Sequence, residues 1–140
     1  MATNVLVRDV MKKKVKVVRE DTNLQEIIAT LSSFEINSLI VVQGEKPVGI
    51  ITTKDALVRG FEHGMPASAI TAKMIASSPV TTISEESSLN QAAQIMKRSK
   101  IKHLPVVSDG KLVGILSDID IVFEMPSMMS AMEEVCRPQK

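Results

Sequence analysis

Tryptophan and tyrosine do not occur in these 140 residues, and phenylalanine occurs three times. Few platforms are left on which a nucleic-acid base could stack. A single cysteine, Cys136, cannot close an internal disulfide, and a reducing cytoplasm is the expected location. Apolar residues come in short runs between charged ones. None approaches the roughly 20 consecutive apolar positions that cross a bilayer, so no membrane partner is expected. The start, "MATNVLVRDVMKKK", lacks the basic-then-apolar order of a secretory signal. An excess of one charge is missing too: 17 basic residues against 16 acidic ones leave +1. No global field draws such a chain to nucleic acid or an anionic membrane, and any recognition must be local.

What is present is a core and a repetition. Hydrophobic residues make up 44 % of the chain, and a chain of this length buries roughly two-thirds of its unfolded surface. Nine methionines offer pliable apolar filling. Sliding the sequence by 65 residues sets Val15 on Val80 and runs without a gap to Gly60 on Met125. Within that alignment Leu24 falls on Leu89, Ile36 on Ile101, Leu39 on Leu104, Val48-Gly49-Ile50 on Val113-Gly114-Ile115 and Asp55 on Asp120. The chain is a tandem of two related halves.

Each half reads as strand, helix, strand, strand, helix. "VKVV" (Val15 to Val18) and "VTTI" (Val80 to Ile83) are short and rich in β-branched residues. Asp21 or Thr22 can cap a helix with Leu24, Ile27, Ile28 and Leu31 at helical spacing; Ser87 or Ser88 does the same for Leu89, Ala92, Ala93 and Met96. "SLIVVQ" and "HLPVVS" are buried strands that turn through "GEK" and "DGK" into "VGIIT" and "VGILS". Asp109-Gly110 is a favoured hairpin turn. Helices "TKDALVRGF" and "DIDIVFEM" follow.

The same phrase, glycine, two apolar residues, a hydroxyl and then aspartate three places on, stands at Gly49 to Asp55 and at Gly114 to Asp120. Two readings fit it. Thr52 and Ser117 sit where a helix starts, and an acid three residues later is the ordinary reciprocal cap, which needs no ligand. A carboxylate one turn into a helix is also placed to accept the paired hydroxyls of a ribose. The glycines permit a close approach of ligand or backbone, or mark a bulge.

With a short helix ending in methionine before each half ("VRDVM", "ITAKM"), the "LIVV" and "LPVV" strands and the doubled phrase, the chain resembles a tandem pair of cystathionine β-synthase (CBS) domains, a Bateman module. The likeness covers about residues 5–125. It implies an α/β fold of two CBS repeats, each β-α-β-β-α, packed about a pseudo-twofold axis. Repeat 1 would span residues 1–62, a connector 63–69, repeat 2 residues 70–125, and a C-terminal helix and tail 126–140. It further implies a regulatory sensor that binds an adenosine-containing ligand (AMP, ADP, ATP or S-adenosylmethionine) and signals to a separate effector protein, most simply as a homodimer. In such a module Thr52 with Asp55, and Ser117 with Asp120, would hold ribose. The base would enter an apolar slot near the opposite half's first strand, Pro79 and Val80 for the Asp55 cleft. Lys102 and His103 would meet phosphates and face the Asp55 cleft, which is therefore the preferred nucleotide site; Asn37 and Ser38 stand at the matching places of the first half. Ile40 in place of Pro105, and Gln43 where many repeats carry an acid, depart from the pattern.

The run "KKKVK" (Lys12 to Lys16) has three readings: a solvated face, phosphate attraction by Lys13 or Lys14 in the Asp120 cleft, or nucleic-acid binding, which the absent aromatics disfavour. His63 lies in the connector and reads as surface, without a second ligand at metal spacing. There is no Walker loop, no HExxH and no CxxC pair, so neither catalysis nor a required cofactor or metal is expected. "MPSMMSAMEEV" (Met125 to Val135) reads as an amphipathic terminal helix in need of cover.

Overall fold

A computed structural model describes residues 5–124. In chain order the elements are α1 (Val7–Val10), β1 (Val17–Arg19), α2 (Leu24–Ser33), β2 (Ser38–Gln43), β3 (Lys46–Thr52), α3 (Thr53–Glu62), a 3-10 turn (Ala67–Ala69), α4 (Ala72–Ile75), β4 (Ile83–Ser84), α5 (Leu89–Ser99), β5 (His103–Ser108) and β6 (Lys111–Ser117). Residues 118–124 are helical and are called α6. Each half is thus a short helix followed by strand, helix, strand, strand, helix, as the repeat demands. The helix read over Met125 to Val135, and Cys136, lie outside the described residues.

Two three-stranded sheets form, in the orders β1-β2-β3 and β4-β5-β6. β1 runs parallel to β2, a pairing that needs a crossover, which α2 supplies; β2 and β3 are antiparallel with Ser38 opposite Thr52. β4 likewise runs parallel to β5. The hairpin turns follow their residues. Asp109 and Gly110 both have positive φ (51° and 78°), as a type I′ turn requires, while in the first hairpin Gly44 (62°) takes the left-handed place.

The helices bury the stripe their spacing prescribes. Leu24, Ile27 and Leu31 are buried on α2, and Leu89, Ala92 and Met96 on α5, whereas Ile28 is left half-exposed. Ser88 caps α5 as expected, in a reciprocal box with Gln91 (Gln91 N donating to Ser88 Oγ at 3.1 Å, Ser88 N to Gln91 Oε1 at 2.9 Å). The cap of α2 is neither Asp21 nor Thr22. It is Asn23, whose Oδ1 accepts from Glu26 N at 2.9 Å, because Thr22 Oγ1 is engaged by Arg19 N at 3.1 Å in the turn that ends β1. Both first strands begin later than their β-branched runs suggest, at Val17 and Ile83. The chain just before them is committed elsewhere, to single bridges of Lys12 with Ile115 and of Ser77 with Ile50.

The described chain divides into two compact bodies that do not follow the halves of the sequence. One holds residues 5–13, 82–108 and 113–124; the other holds 14–81 and 109–112. Each has its own core. Leu39, Ile51, Ile27, Ile70 and Ile75 are central to the body of the first hairpin, and Leu104, Leu116, Leu89, Val7 and Val106 to the other. Fully burying a side chain of this size contributes about 1.5–3 kcal/mol. Residues 67–81 therefore complete the first body, as residues 5–13 complete the second.

Candidate functional site

The doubled phrase becomes intelligible one residue at a time. In each body a segment from outside the hairpin crosses its last strand beside the glycine. Ser77 and Ile50 exchange two backbone hydrogen bonds (Ile50 N to Ser77 O, 3.2 Å; Ser77 N to Ile50 O, 2.9 Å), and Lys12 and Ile115 do the same at 2.9 Å each. A Cβ on Gly49 would lie 3.2 Å from Ala76 Cβ and 3.3 Å from Ser77 O. On Gly114 it would lie 2.6 Å from the sulfur of Met11 and 2.9 Å from the carbonyl oxygen of Lys12. The glycines are there for the chain's own crossing backbone.

The hydroxyl and the acid then start the helix. Asp55 N donates to Thr52 Oγ1 at 3.1 Å, while Thr52 N and Thr52 Oγ1 donate to Asp55 Oδ2 at 2.9 and 3.0 Å. Asp120 N donates to Ser117 Oγ at 3.3 Å, and Ser117 N to Asp120 Oδ2 at 2.9 Å. The capping reading is realised in both bodies, and it uses one carboxylate oxygen. Oδ1 points to a cation in each case: Arg59 Nε lies 3.7 Å from Asp55 Oδ1, and Lys12 Nζ 3.7 Å from Asp120 Oδ1. Both carboxylates are largely sheltered, 17 % and 11 % exposed, whereas Lys12 is mostly open to solvent and Arg59 about half so. A largely sheltered carboxylate with one oxygen fixed by its own helix and the other in a long ion pair at 3.7 Å can exchange that pair for neutral donors.

The cations are differently placed. Arg59, one helical turn beyond Asp55, also donates through Nη1 to the carbonyls of Ile75 and Ala76 at 3.3 and 3.1 Å. It ties α3 to the end of α4. Sequence reasoning passed over it, although an acid and an arginine four apart on one helix face are an available signal. Lys12 was passed over in favour of Lys13 and Lys14. The structure divides that lysine run: Lys12 and Lys13 belong to the body of Asp120, Lys14 and Lys16 to the other, with Lys16 Nζ 3.9 Å from the centroid of the Phe34 ring.

Lys102 and His103 stand at the entry of β5 in the same body as Asp120, where the Lys102 carbonyl accepts from Asp118 N at 2.9 Å. Burial holds the His103 pKa below the usual 6.5; Lys102 and Lys12 act the same way, and the carboxylates of Asp118 and Asp120 oppose them. The resemblance expects these two residues to face the Asp55 cleft. Within their own body they stand at the start of α6, and their facing the Asp55 cleft stays what the resemblance implies. At the matching place in the other body, the Asn37 carbonyl accepts from Thr53 N at 2.9 Å. Pro79 is exposed and Val80 partly buried, both in the body of Asp55 and just beyond the Ser77 crossing. His63 reaches the Met74 carbonyl through Nε2 at 3.4 Å. Among the described residues no three His, Cys, Asp or Glu side chains are grouped to hold a metal ion, and no helix is long and apolar enough to cross a membrane.

An apolar groove of about 530 Å³ lies elsewhere, between α2 and α3, lined by Ile28, Leu31, Ile36, Ala56 and Leu57 with Asn37 at its edge. Leu57 and Phe61 on α3 are 72 % and 86 % exposed.

The comparisons with known proteins agree with this architecture. A family model described as CBS domain matches twice, at residues 7–60 and 72–127. An uncharacterized protein of Methanopyrus kandleri is 33 % identical over 111 residues, covering 78 % of this chain and 57 % of that protein. Hypoxic response protein 1 of Mycobacterium tuberculosis is 24 % identical over 134 residues, covering 94 % of each. Among solved structures, the CBS domain pair of protein MJ0100, in complex with 5′-methylthioadenosine and S-adenosyl-L-methionine, superposes with a TM-score of 0.79 at 27 % identity, covering 89 % of this chain and 98 % of that one. With the repeated elements, the repeated caps and two matches to one domain model, the chain belongs to the CBS domain family and carries that domain twice.

Proposed function

We propose that this protein is a non-catalytic, cytoplasmic regulatory module that binds adenosine-containing ligands and passes their presence to a partner protein. The observation that carries the proposal is the carboxylate built twice in the same way. Asp55 and Asp120 each spend Oδ2 on the start of a helix and leave Oδ1 with a single cation at 3.7 Å. That oxygen, with two lone pairs, suits the adjacent hydroxyls of a ribose. Thr52 and Ser117 fix each carboxylate, Pro79 and Val80 border the first site, and Lys102, His103 and the lysines about Lys14 supply positive charge for phosphates. Asn37 takes the matching polar place in the first half. The complex of the MJ0100 domain pair with two adenosyl compounds supports this ligand class. No cofactor is required. The exposed apolar faces of α3 and α6, which carry Leu57, Val58, Phe61, Val122 and Phe123, support assembly as a homodimer.

A second reading has its own observation. Capping and the backbone crossing account for hydroxyl, aspartate and glycine without any ligand, which is what a purely structural CBS scaffold would need. A thermal-shift screen over adenine and guanine nucleotides, adenosine and S-adenosylmethionine separates the two. A ligand present at 100 times its Kd stabilises by about 2.7 kcal/mol. Raised melting temperature with adenine compounds alone is the expected result, and no shift with any compound would favour the scaffold.

A further inference from the structure

The two bodies end their first long helix in the same way and then differ in charge. Glu35 and Lys100, matched by the shift of 65 residues, both sit in the left-handed region (φ 50° and 55°). Just beyond them Ile36 N donates to the Leu31 carbonyl and Ile101 N to the Met96 carbonyl, each at 3.1 Å. The joints to the last helix repeat too, Thr53 N donating to the Asn37 carbonyl and Asp118 N to the Lys102 carbonyl, each at 2.9 Å. Matched side chains therefore leave matched places on the two surfaces. Along the groove between α2 and α3 those places hold Ser32, Glu35 and Asn37. In the other body they hold Lys97, Lys100 and Lys102, all exposed.

Counting every charge on these helices keeps the contrast. Asp55 pairs with Arg59, and Asp120 with Lys12. Among the described residues, the face of α2 and α3 then keeps Glu26, Glu35 and Glu62 against Lys54, with Lys16 over the Phe34 ring beside them. The face of α5 and α6 keeps Lys97, Arg98, Lys100 and Lys102 against Asp118 and Glu124. Lys13 and Lys14 lie outside these helices, one in each body, and leave the difference as it is. Each face also carries exposed apolar side chains: Leu57, Val58 and Phe61 on α3, and Ile119, Val122 and Phe123 on α6. Burying apolar surface is non-directional and does not tell like faces from unlike ones, whereas charge does.

We infer, resting on the homodimer reading, that the α2–α3 face of one chain docks on the α5–α6 face of a second copy and not on its own counterpart. Met by its counterpart, the α5–α6 face would bring Lys97, Lys100 and Lys102 of both copies to one partly dehydrated border, a costly juxtaposition of like charges. Met by the α2–α3 face, it finds Glu35 at the edge of an apolar groove with room for an exposed side chain such as Phe123. A twofold axis repeats the contact and covers both faces of each chain.

The test exchanges the two borders in the full chain, using residues that each body already carries at the matched place. Ser32→Lys/Glu35→Lys makes both borders basic, and Lys97→Ser/Lys100→Glu makes both acidic; all of these positions are exposed. A third chain carries the four changes together. Dimer dissociation constants are measured by sedimentation equilibrium at low and high salt. Each two-residue variant is expected to raise Kd at least about tenfold at low salt, and the wild-type dimer to weaken as salt rises. The four-residue chain, with its borders again unlike, should return to within about threefold of wild type. Unchanged affinity in both two-residue variants, or a wild-type dimer that tightens with salt, would put like faces together and overturn the inference while leaving the homodimer. A wild-type chain that stays monomeric at micromolar concentration removes the homodimer reading itself, and the pairing falls with it.

Discussion

Each aspartate of the doubled phrase has two oxygens with two different tasks, and a pair of substitutions separates them. Asp55→Ala removes both. It should cost about 1 kcal/mol of stability, the ordinary value of a lost helix cap, and weaken adenosine binding as well. Asp55→Asn keeps the carbonyl that Thr52 N needs and puts an amide in place of Oδ1. Its urea midpoint should stay near wild type while ligand affinity drops; a parallel loss of stability and affinity in both variants would show that the two oxygens are not so divided. His103 offers a test by pH. Its pKa is held down first by burial, then by Lys102 and Lys12, against Asp118 and Asp120. The unfolded imidazole takes up a proton near 6.5, and the folded one only at lower pH. The resulting stabilisation is therefore full above about pH 6.5 and is lost as pH falls through the folded value. Urea denaturation between pH 7 and 5 should show a shallower decline for His103→Gln than for wild type, and identical slopes would contradict the assignment.

At the scale of elements, the strand-to-helix joint needs glycine for a reason outside the joint itself. Gly114→Ala drives a Cβ to 2.9 Å from a backbone carbonyl, whereas Gly49→Ala meets nothing nearer than 3.2 Å. Overpacking of the first kind costs about 1–3 kcal/mol. Gly114→Ala is expected to be the more destabilising of the two in chemical unfolding, and the reverse order would mean that the crossing at Gly49 is the tighter one. The same joints show what a sequence can reveal. The repeat, the helix stripes, the Ser88 cap and the Asp109-Gly110 turn were legible because each depends on neighbours within a few residues. Asn23 was not, since its role follows from Thr22 being drawn into the end of β1. Lys12 and Arg59 were not, since their meaning depends on which distant segment crosses each hairpin. For the same reason no reading of halves could foresee that residues 5–13 join the body of the second hairpin.

For the whole molecule, the apolar face of α3 beside the α2–α3 groove leaves Leu57 and Phe61 far more exposed than a lone chain would favour. Sedimentation at micromolar concentration should give twice the 15.3 kDa chain mass, reduced toward one chain by Leu57→Glu/Phe61→Glu. A monomer in the wild type would contradict the homodimer. The ligand claim stands or falls on the aspartates together. Adenosine, which carries ribose and base but no phosphate, isolates the contact at issue. Titrated into wild type and into Asp55→Asn/Asp120→Asn, with urea unfolding of both recorded, it is expected to bind the wild type and to lose at least about tenfold in affinity in the double variant at nearly unchanged stability. Equal affinity in the two proteins would show that the carboxylates serve only to begin their helices.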